Sequence, residues 1–168
     1  MSDQLASGQP IRVLTIGDDF SRESLALKVG LSPRGEDVVG VLNGLIGERG
    51  RPHSIRCDNG TEFTSQVMDQ WAYWNRVVLD FIRPGKPMGN GLIEGFSSRF
   101  RQECLNEYWF LSVADAQQKI EAWRQHYNDQ RPHSSLENRT PNDFANQAIA
   151  RHPHGDGQGG TKPPHSDP

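Results

Sequence analysis

The chain has only two cysteines and no long apolar run. Cys57 and Cys104 belong to no Cys-x-x-Cys pair, so a zinc knuckle is not predicted, and we expect two reduced, partly buried thiols. No apolar stretch approaches the ~18 residues that a membrane-spanning helix needs. The first residues also lack the basic start and apolar core of a secretory signal peptide. These absences favour a cytoplasmic protein.

An excess of positive charge is absent as well. The 168 residues include 18 Lys and Arg against 21 Asp and Glu, which gives a formal net charge of −3. A protein that coats nucleic acid on its own is usually basic, so that class is disfavoured. The balance does not exclude an enzyme that holds DNA locally, because metal-binding carboxylates lower the net charge and a separate domain can supply DNA affinity.

The length fits one compact domain, and the apolar pattern predicts alternating strands and helices. The run at 11–17 is almost continuously apolar, as in a buried strand, and 24–31 alternates like an antiparallel partner. Further strands are predicted at 53–57 and 77–82. Helices are predicted from the N-cap Ser32 and Pro33 to Gly50, around 63–74, at 92–106, at 113–129 and after Thr140-Pro141. This order indicates an α/β fold with a mixed sheet flanked by helices.

Two segments are predicted to lack regular structure, and one strand is predicted to be short. Residues 83–91 hold three glycines and two prolines, which is typical of a loop. Residues 149–168 show no apolar periodicity and predict a disordered polar tail, which leaves 1–148 as the folded domain. The strand at 11–17 needs a hairpin partner, and few residues precede the turn between them, so we expect an incomplete first strand.

Asp58 directly follows the predicted strand at 53–57. In an open α/β sheet, ligands gather at the carboxyl ends of strands. Asn59 and Gly60 favour a tight turn, from which the carboxylate of Asp58 can project. The same three residues also form ordinary Asx turns, so a purely structural role stays open.

Glu94 lies in the first turns of the helix that follows the glycine-rich loop. Helical spacing predicts Ile93, Phe96, Phe100 and Cys104 as the buried stripe. Glu94 flanks this stripe, and Arg101 follows two turns later on the same side as Glu94. A glutamate in this place can reach a neighbouring strand end, although the helix dipole alone also favours an acidic residue there.

Several motifs of this chain occur together in one known family. An Asp-Asn-Gly-x-Glu-Phe motif starts at Asp58, 35 residues separate Asp58 from Glu94, and the basic Arg101 follows seven positions after Glu94. Further motifs are Asp18-Asp19-Phe20-Ser21-Arg22, Trp109-Phe110-Leu111, Tyr127-Asn128-x-x-Arg131-Pro132-His133-x-Ser135-Leu136 and Thr140-Pro141-x-x-Phe144. In this combination, residues 2–147 resemble the bacterial transposases of the "insertion sequence three" family, which carry a retroviral-type integrase catalytic domain.

The resemblance implies a ribonuclease H-like fold that cuts and joins DNA with a set of two aspartates and one glutamate. It implies that Asp58 is the second aspartate, that Glu94 is the glutamate, and that both bind Mg²⁺ or Mn²⁺. Such carboxylates hold two divalent ions, one at the attacking and one at the leaving oxygen. Lys86, Asn90 and Arg101 are the implied DNA contacts, and for Lys86 and Arg101 a solvated side chain without a DNA contact stays open as the alternative. The implied partners are transposon-end and target DNA and a second transposase copy.

The chain departs from the family pattern at the first aspartate. Residues 1–5 resemble the tail of the first strand, and the pattern puts that aspartate just upstream of Met1. We therefore expect a truncated frame or a fragment with impaired chemistry, and enzymatic activity stays open. One alternative is a non-catalytic remnant that binds DNA or an intact transposase, and a more distant one is a nuclease without joining activity. The family also usually has other residues where Gly91 and Gly95 stand.

Overall fold

A computed structural model describes residues 1–82 and 91–151. The predicted loop at 83–91 therefore lies outside the described residues, except for Gly91, which begins a helix instead. The predicted tail also lies outside them from residue 152 onward. In chain order, the described elements are β1 (Ser2–Gln4), β2 (Pro10–Gly17), β3 (Ser24–Gly30), α1 (Gly35–Arg49), β4 (Ser54–Cys57), α2 (Gln66–Asn75), β5 (Val78–Phe81), α3 (Gly91–Phe100), a π-helical turn (Arg101–Leu105), α4 (Val113–Gln130), a 3-10 turn (Ser134–Leu136) and α5 (Pro141–Arg151).

The first three strands form an antiparallel sheet in the order β1-β2-β3. β2 and β3 pair along almost their whole length, as predicted, with Val13 opposite Val29. β1 has only three residues, and it pairs with the start of β2 through Asp3 and Ile11. The first strand is thus as short as the sequence indicated.

β4 and β5 form a parallel pair, with Cys57 opposite Phe81. Within the described ranges 1–82 and 91–151, no strand ladder joins this pair to the antiparallel sheet. α1 and α2 cover one side, where Leu14 of β2 packs with Val38, Met68 and Trp71. The two strand sets and the flanking helices give the expected mixed α/β class.

The predicted start of α1 at Ser32 and Pro33 is wrong. The helix begins at Gly35, and Arg34 is its N-cap. Asp37 lies three residues after Arg34, and its side chain accepts a hydrogen bond from the Arg34 N–H at 2.8 Å. An acidic side chain at this position satisfies a backbone donor that the helix leaves unpaired. Gly50 ends the helix as predicted, with a φ of 83°.

The second core lies between the antiparallel sheet and the chain from α3 to α4. Ile11 and Val13 of β2 pack there against Phe100, Cys104 and Ile120, and all five side chains are fully or almost fully buried. Full burial of a side chain such as Phe100 stabilises a fold by about 1.5–3 kcal/mol. This packing fixes α3, which carries Glu94, against the face of β2.

The outer edge of β3 is covered by side chains of α4. The amide of Gln117 accepts a hydrogen bond from Val29 N–H at 2.8 Å and donates to Leu27 O at 2.9 Å. Arg124 donates to Ser24 O at 2.7 Å. Side chains thus replace a neighbouring strand along this edge, which prevents it from pairing with other strands.

Helix α5 continues to Arg151 and so runs three residues past the expected domain boundary at 148. Over residues 1–82 and 91–151, none of the helices combines the length and the apolar character needed to cross a bilayer.

Candidate active site

Asp58 lies at the carboxyl end of β4, in the Asx turn that the sequence predicted. Its Oδ1 accepts a hydrogen bond from Gly60 N–H at 2.9 Å, while the residue as a whole stays exposed. The neighbouring Asn59 donates from Nδ2 to Ile82 O at 3.0 Å, and Ile82 N–H donates to Cys57 O at 3.0 Å. The turn is therefore tied to the end of β5, which limits how far Asp58 can move.

A second carboxylate, that of Glu62, lies beside Asp58. A Cβ built on Gly60 would lie 2.8 Å from Glu62 Oε2 and 2.9 Å from Asp58 Oδ1, so both carboxylates border the space above this glycine. Glu62 was not among the predicted site residues, although it is the glutamate of the Asp-Asn-Gly-x-Glu-Phe motif. The available signal was the spacing of Asp58 and Glu62, which lie four positions apart across a tight turn and can therefore meet.

The chain's first residue approaches this acidic pair. The Met1 ammonium donates a hydrogen bond to Val13 O at 2.7 Å. Burial lowers the pKa of the Met1 ammonium, while the nearby negative charges of Asp58 and Glu62 act in the opposite direction. Met1, Arg12, Asp58 and Glu62 line an open cleft of about 470 Å³ between the start of β1 and the end of β4.

Burial also raises the pKa of the Cys57 thiol to about 11, with a further contribution from the charge of Asp58. Cys57 and Cys104 are both buried free cysteines, as expected from their sequence context. Because burial raises the pKa of both thiols, neither is a thiolate at neutral pH. Only the thiolate is a strong metal ligand or nucleophile, so neither cysteine is a candidate for such a role.

Glu94 lies in the first turn of α3 and is exposed. The predicted buried stripe of this helix is correct for Phe100 and Cys104, which are fully buried, and Phe96 packs against the same core. It is wrong for Ile93, which is 39% exposed. Across the described ranges, no three Asp, Glu, His or Cys residues come together in one metal-binding group, so Asp58 and Glu94 are not joined in such a group.

Arg101, a predicted DNA contact, lies in the π-helical turn after α3. Its Nη2 donates to Ser2 O at 2.7 Å, so the guanidinium lies beside β1. Its charge also influences the Met1 ammonium. Arg101 and Asp58 therefore both approach the amino end of the chain. Lys86 and Asn90, the other two predicted contacts, lie outside the described residues.

Two motifs far apart in sequence meet at a second cleft, which has a volume of about 250 Å³. The first motif is the turn after β2, where Asp18 Oδ2 accepts hydrogen bonds from the N–H and the hydroxyl of Ser21 at 2.8 and 2.6 Å. The second contributes Tyr127, at the end of α4, and His133, whose rings are 5.2 Å apart. No local sequence pattern predicted that these two motifs would meet.

Two family models match the chain. Both are described as the integrase core domain, and they cover residues 3–87 and 75–141. The first covers slightly more than half of the chain.

Curated proteins of bacterial insertion elements are similar over most of the chain. A protein of insertion element IS407 from Burkholderia multivorans is 46% identical over 143 residues, which are 85% of this chain and 52% of that protein. A protein of insertion element IS476 from Xanthomonas euvesicatoria is 44% identical over 143 residues, covering 85% of this chain and 41% of that protein. The chain thus spans about half the length of these relatives.

Solved structures share the fold at low sequence identity. A chain of the simian T-cell lymphotropic virus intasome in complex with PP2A regulatory subunit B56 gamma has a TM-score of 0.71 at 16% identity, covering 100% of this chain and 56% of that chain. The HTLV-2 integrase catalytic core domain in complex with magnesium, in a trimeric form, has a TM-score of 0.62 at 15% identity, covering 86% and 90%. These neighbours confirm the ribonuclease H-like fold. With the family matches and the insertion-element relatives, they establish that this chain belongs to the integrase core domain family.

Proposed function

We propose that this chain is part of the catalytic domain of an insertion-element transposase, which cleaves and joins DNA phosphodiesters with Mg²⁺ or Mn²⁺. The observation that carries the proposal is the exposed carboxylate of Asp58 at the carboxyl end of β4. Family membership supplies the reaction class. Because the chain spans about half of its curated relatives, the activity, the DNA substrates and the partners of the whole protein are all part of the proposal.

The residues around Asp58 suit a hard divalent cation. The carboxylates of Asp58 and Glu62 border the same space above Gly60, and both offer oxygen ligands. Magnesium prefers oxygen and keeps several waters, so one or two carboxylates are enough to hold it. A bound ion would polarise the scissile phosphate and activate the attacking hydroxyl or water. We propose Asp58 and Glu94 as ligands and Glu62 as a neighbouring carboxylate that strengthens the negative field.

If the catalytic set includes an aspartate two positions upstream of Met1, we propose that it pairs with β2. Met1 exchanges backbone hydrogen bonds with Val13, and antiparallel partners advance in opposite directions, so a residue two positions upstream of Met1 would lie opposite Thr15. Thr15 lines the second cleft together with Gly91 and Ile93 of α3. A carboxylate at that upstream position would therefore lie near the helix that carries Glu94.

The remaining residues are proposed to orient DNA. Arg101 lies at the amino end of β1, and we propose that it contacts a backbone phosphate near Asp58, as phosphate contacts set the position of a protein on DNA. Lys86 and Asn90 are proposed contacts of the same kind. Self-association at paired transposon ends is also proposed, supported by the trimeric form of the HTLV-2 core. A DNA substrate in bacteria implies action in the cytoplasm.

Titration of Mn²⁺ into the purified chain by calorimetry tests the metal site. We expect weaker binding in Asp58→Asn and in Glu94→Gln, and unchanged binding in the control Glu107→Gln, which removes an exposed charge from the turn after α3. A plasmid-nicking assay with Mn²⁺ then tests the chemistry. If both variants bind the ion like the unmodified chain, the proposed ligands are wrong. If the ion binds but no strand is cut, the chain acts instead as a non-catalytic remnant that binds DNA or an intact transposase.

A further inference from the structure

Two positively charged side chains line the second cleft. Arg22 comes from the turn after β2 and Arg99 from α3. Arg131, which follows α4, lies beside Tyr127 and forms an ion pair with Glu103 at 2.5 Å. Burial lowers the pKa of His133, and the charges of Arg99, Arg131 and Arg22 lower it further. Arg22 and Arg99 thus come from separate parts of the chain to one cleft, which His133 also lines.

The acidic groups of the cleft already have partners. Glu23 forms a 2.7 Å ion pair with Arg49 and accepts a hydrogen bond from the Ser21 hydroxyl at 2.8 Å. Asp18 accepts two hydrogen bonds from Ser21. In the described part of the chain, Arg99 forms no ion pair within 4.0 Å, so its positive charge is not balanced in the same way.

One donor at this cleft lacks an acceptor. Arg22 donates from Nη1 to Asp19 O at 2.5 Å, but its buried Nε has no hydrogen-bond partner among the described residues. Arg22 also has a φ of 62°, a left-handed conformation that non-glycine residues seldom adopt and that is often found at functional sites. Buried polar groups are normally hydrogen-bonded. The unpaired Nε of Arg22 therefore indicates that an acceptor, such as an anion, completes this region.

Two glycines leave room for such an anion. Gly91 and Gly95 line the cleft on the side of α3, and a Cβ at either position would meet nothing within 4 Å among residues 1–82 and 91–151. Larger side chains there would reduce the space in front of Arg99.

We propose that this cleft binds a DNA backbone phosphate through Arg22 and Arg99, with the hydroxyls of Ser134 and Ser135 as additional donors. The inference rests on the proposed function, since it takes DNA as the ligand. Guanidinium groups match the oxygens of a phosphate with two parallel hydrogen bonds, and this pairing is stronger than that of neutral groups. Asp58 does not line this cleft, and the proposed phosphate contact needs no metal ion.

Binding of a short fluorescent DNA duplex, measured by anisotropy in EDTA over a series of salt concentrations, tests the proposal. Each lost phosphate contact reduces the slope of log affinity against log salt by about 1. We expect this reduction in Arg22→Asn, which suits a left-handed backbone, and in Arg99→Gln. Lys28→Gln, which removes the same charge from the exposed face of β3, is expected to leave the slope unchanged. Thermal unfolding of each variant checks that the fold is retained.

An unchanged slope in folded Arg22→Asn and Arg99→Gln overturns the proposal and leaves the transposase function standing. An equal loss in Lys28→Gln also overturns it, because the effect would then be general electrostatics. If the arginines bind inorganic phosphate but their loss does not affect DNA binding, the cleft is an anion site unrelated to DNA. The proposed function is judged separately by the Mn²⁺-dependent nicking assay, in which Asp58 is the critical residue.

Discussion

The side chain of Asn128 forms two hydrogen bonds with the backbone of Ser24: its Oδ1 accepts from the N–H at 2.9 Å, and its Nδ2 donates to the carbonyl at 3.0 Å. Both residues are buried. The Ser24 carbonyl also accepts from Arg124, so it keeps a partner without Asn128, whereas the N–H does not. The family motif residue Asn128 thus holds the end of α4 against the start of β3.

Replacing Asn128 tests this structural role. We expect Asn128→Ala to lower the free energy of unfolding by about 1–3 kcal/mol, because one buried N–H loses its acceptor. Urea denaturation followed by circular dichroism measures the change. His126→Ala alters an exposed residue of the same helix turn and is expected to change stability little. Equal stability of the two variants would mean that the Asn128 bonds contribute nothing net.

Acid is expected to destabilise the chain through His133. The folded pKa of His133 is lowered by burial and by Arg99, Arg131 and Arg22, from a usual value of 6.5. The unfolded chain therefore takes up a proton first, so the stabilising contribution is complete above about pH 6.5 and declines as pH falls from there through the lower folded pKa. Urea midpoints between neutral and acidic pH measure this effect.

His133→Gln is the comparison for that experiment, since it removes the titration. We expect its stability to fall less steeply over the same pH range, while carboxylates elsewhere titrate equally in both proteins. The Tyr127 hydroxyl does not titrate in this range, because burial raises its pKa above the usual value of 10.0. Parallel pH profiles for the two proteins would show that His133 does not contribute.

Cys104 is expected to react slowly with thiol reagents in the folded protein. Its side chain is fully buried, and burial, with a smaller contribution from Asp3, raises the pKa of its thiol to about 12. Since the thiolate is the reacting form, both effects protect it. A Cys57→Ser variant isolates Cys104, and labelling with a chromogenic disulfide at mildly alkaline pH measures its rate. Rapid labelling without denaturant would contradict the burial of this side chain.

Gly60→Ala is expected to weaken Mn²⁺ binding without unfolding the protein. The added methyl group would lie within 3 Å of oxygens of Asp58 and Glu62, so both flexible side chains have to move. We expect a loss of about tenfold in affinity, equivalent to about 1.4 kcal/mol. Gly40→Ala in α1, where a Cβ meets nothing within 4 Å, is the control and is expected to stabilise its helix by up to about 1 kcal/mol. Unchanged Mn²⁺ affinity in Gly60→Ala would argue against a metal at this turn.

The sequence predicts the elements whose residues carry a clear period. A nearly continuous apolar run predicted β2, alternation predicted β3 as its antiparallel partner, and the Asp-Asn-Gly turn predicted the position of Asp58 at a strand end. The start of α1 was mistaken because Ser32 and Asp37 are competing capping signals, and only the folded backbone decides between them. The local sequence shows which residues can cap a helix, but it does not show which of them the folded chain uses.

The register of the helix after Gly91 shows a second limit. Glu94 and Arg101 were expected on the same side of one continuous helix, but the chain changes to a π-helical turn at Arg101. Such a turn has a different number of residues per turn from an α-helix, so spacing counted across it no longer reports direction. Likewise, nothing in the local sequence indicated that Arg22 and His133 would meet, because only the tertiary fold brings them together.

The protection of the β3 edge also has a consequence for how the chain is made. Gln117 hydrogen-bonds to Val29 across 88 residues, so a ribosome completes the antiparallel sheet long before it completes the helix that covers it. During that interval, the edge of β3 is open to pairing with neighbouring nascent chains. A chain that ends before α4 would leave this strand edge uncovered, and we expect it to aggregate through edge-to-edge strand pairing.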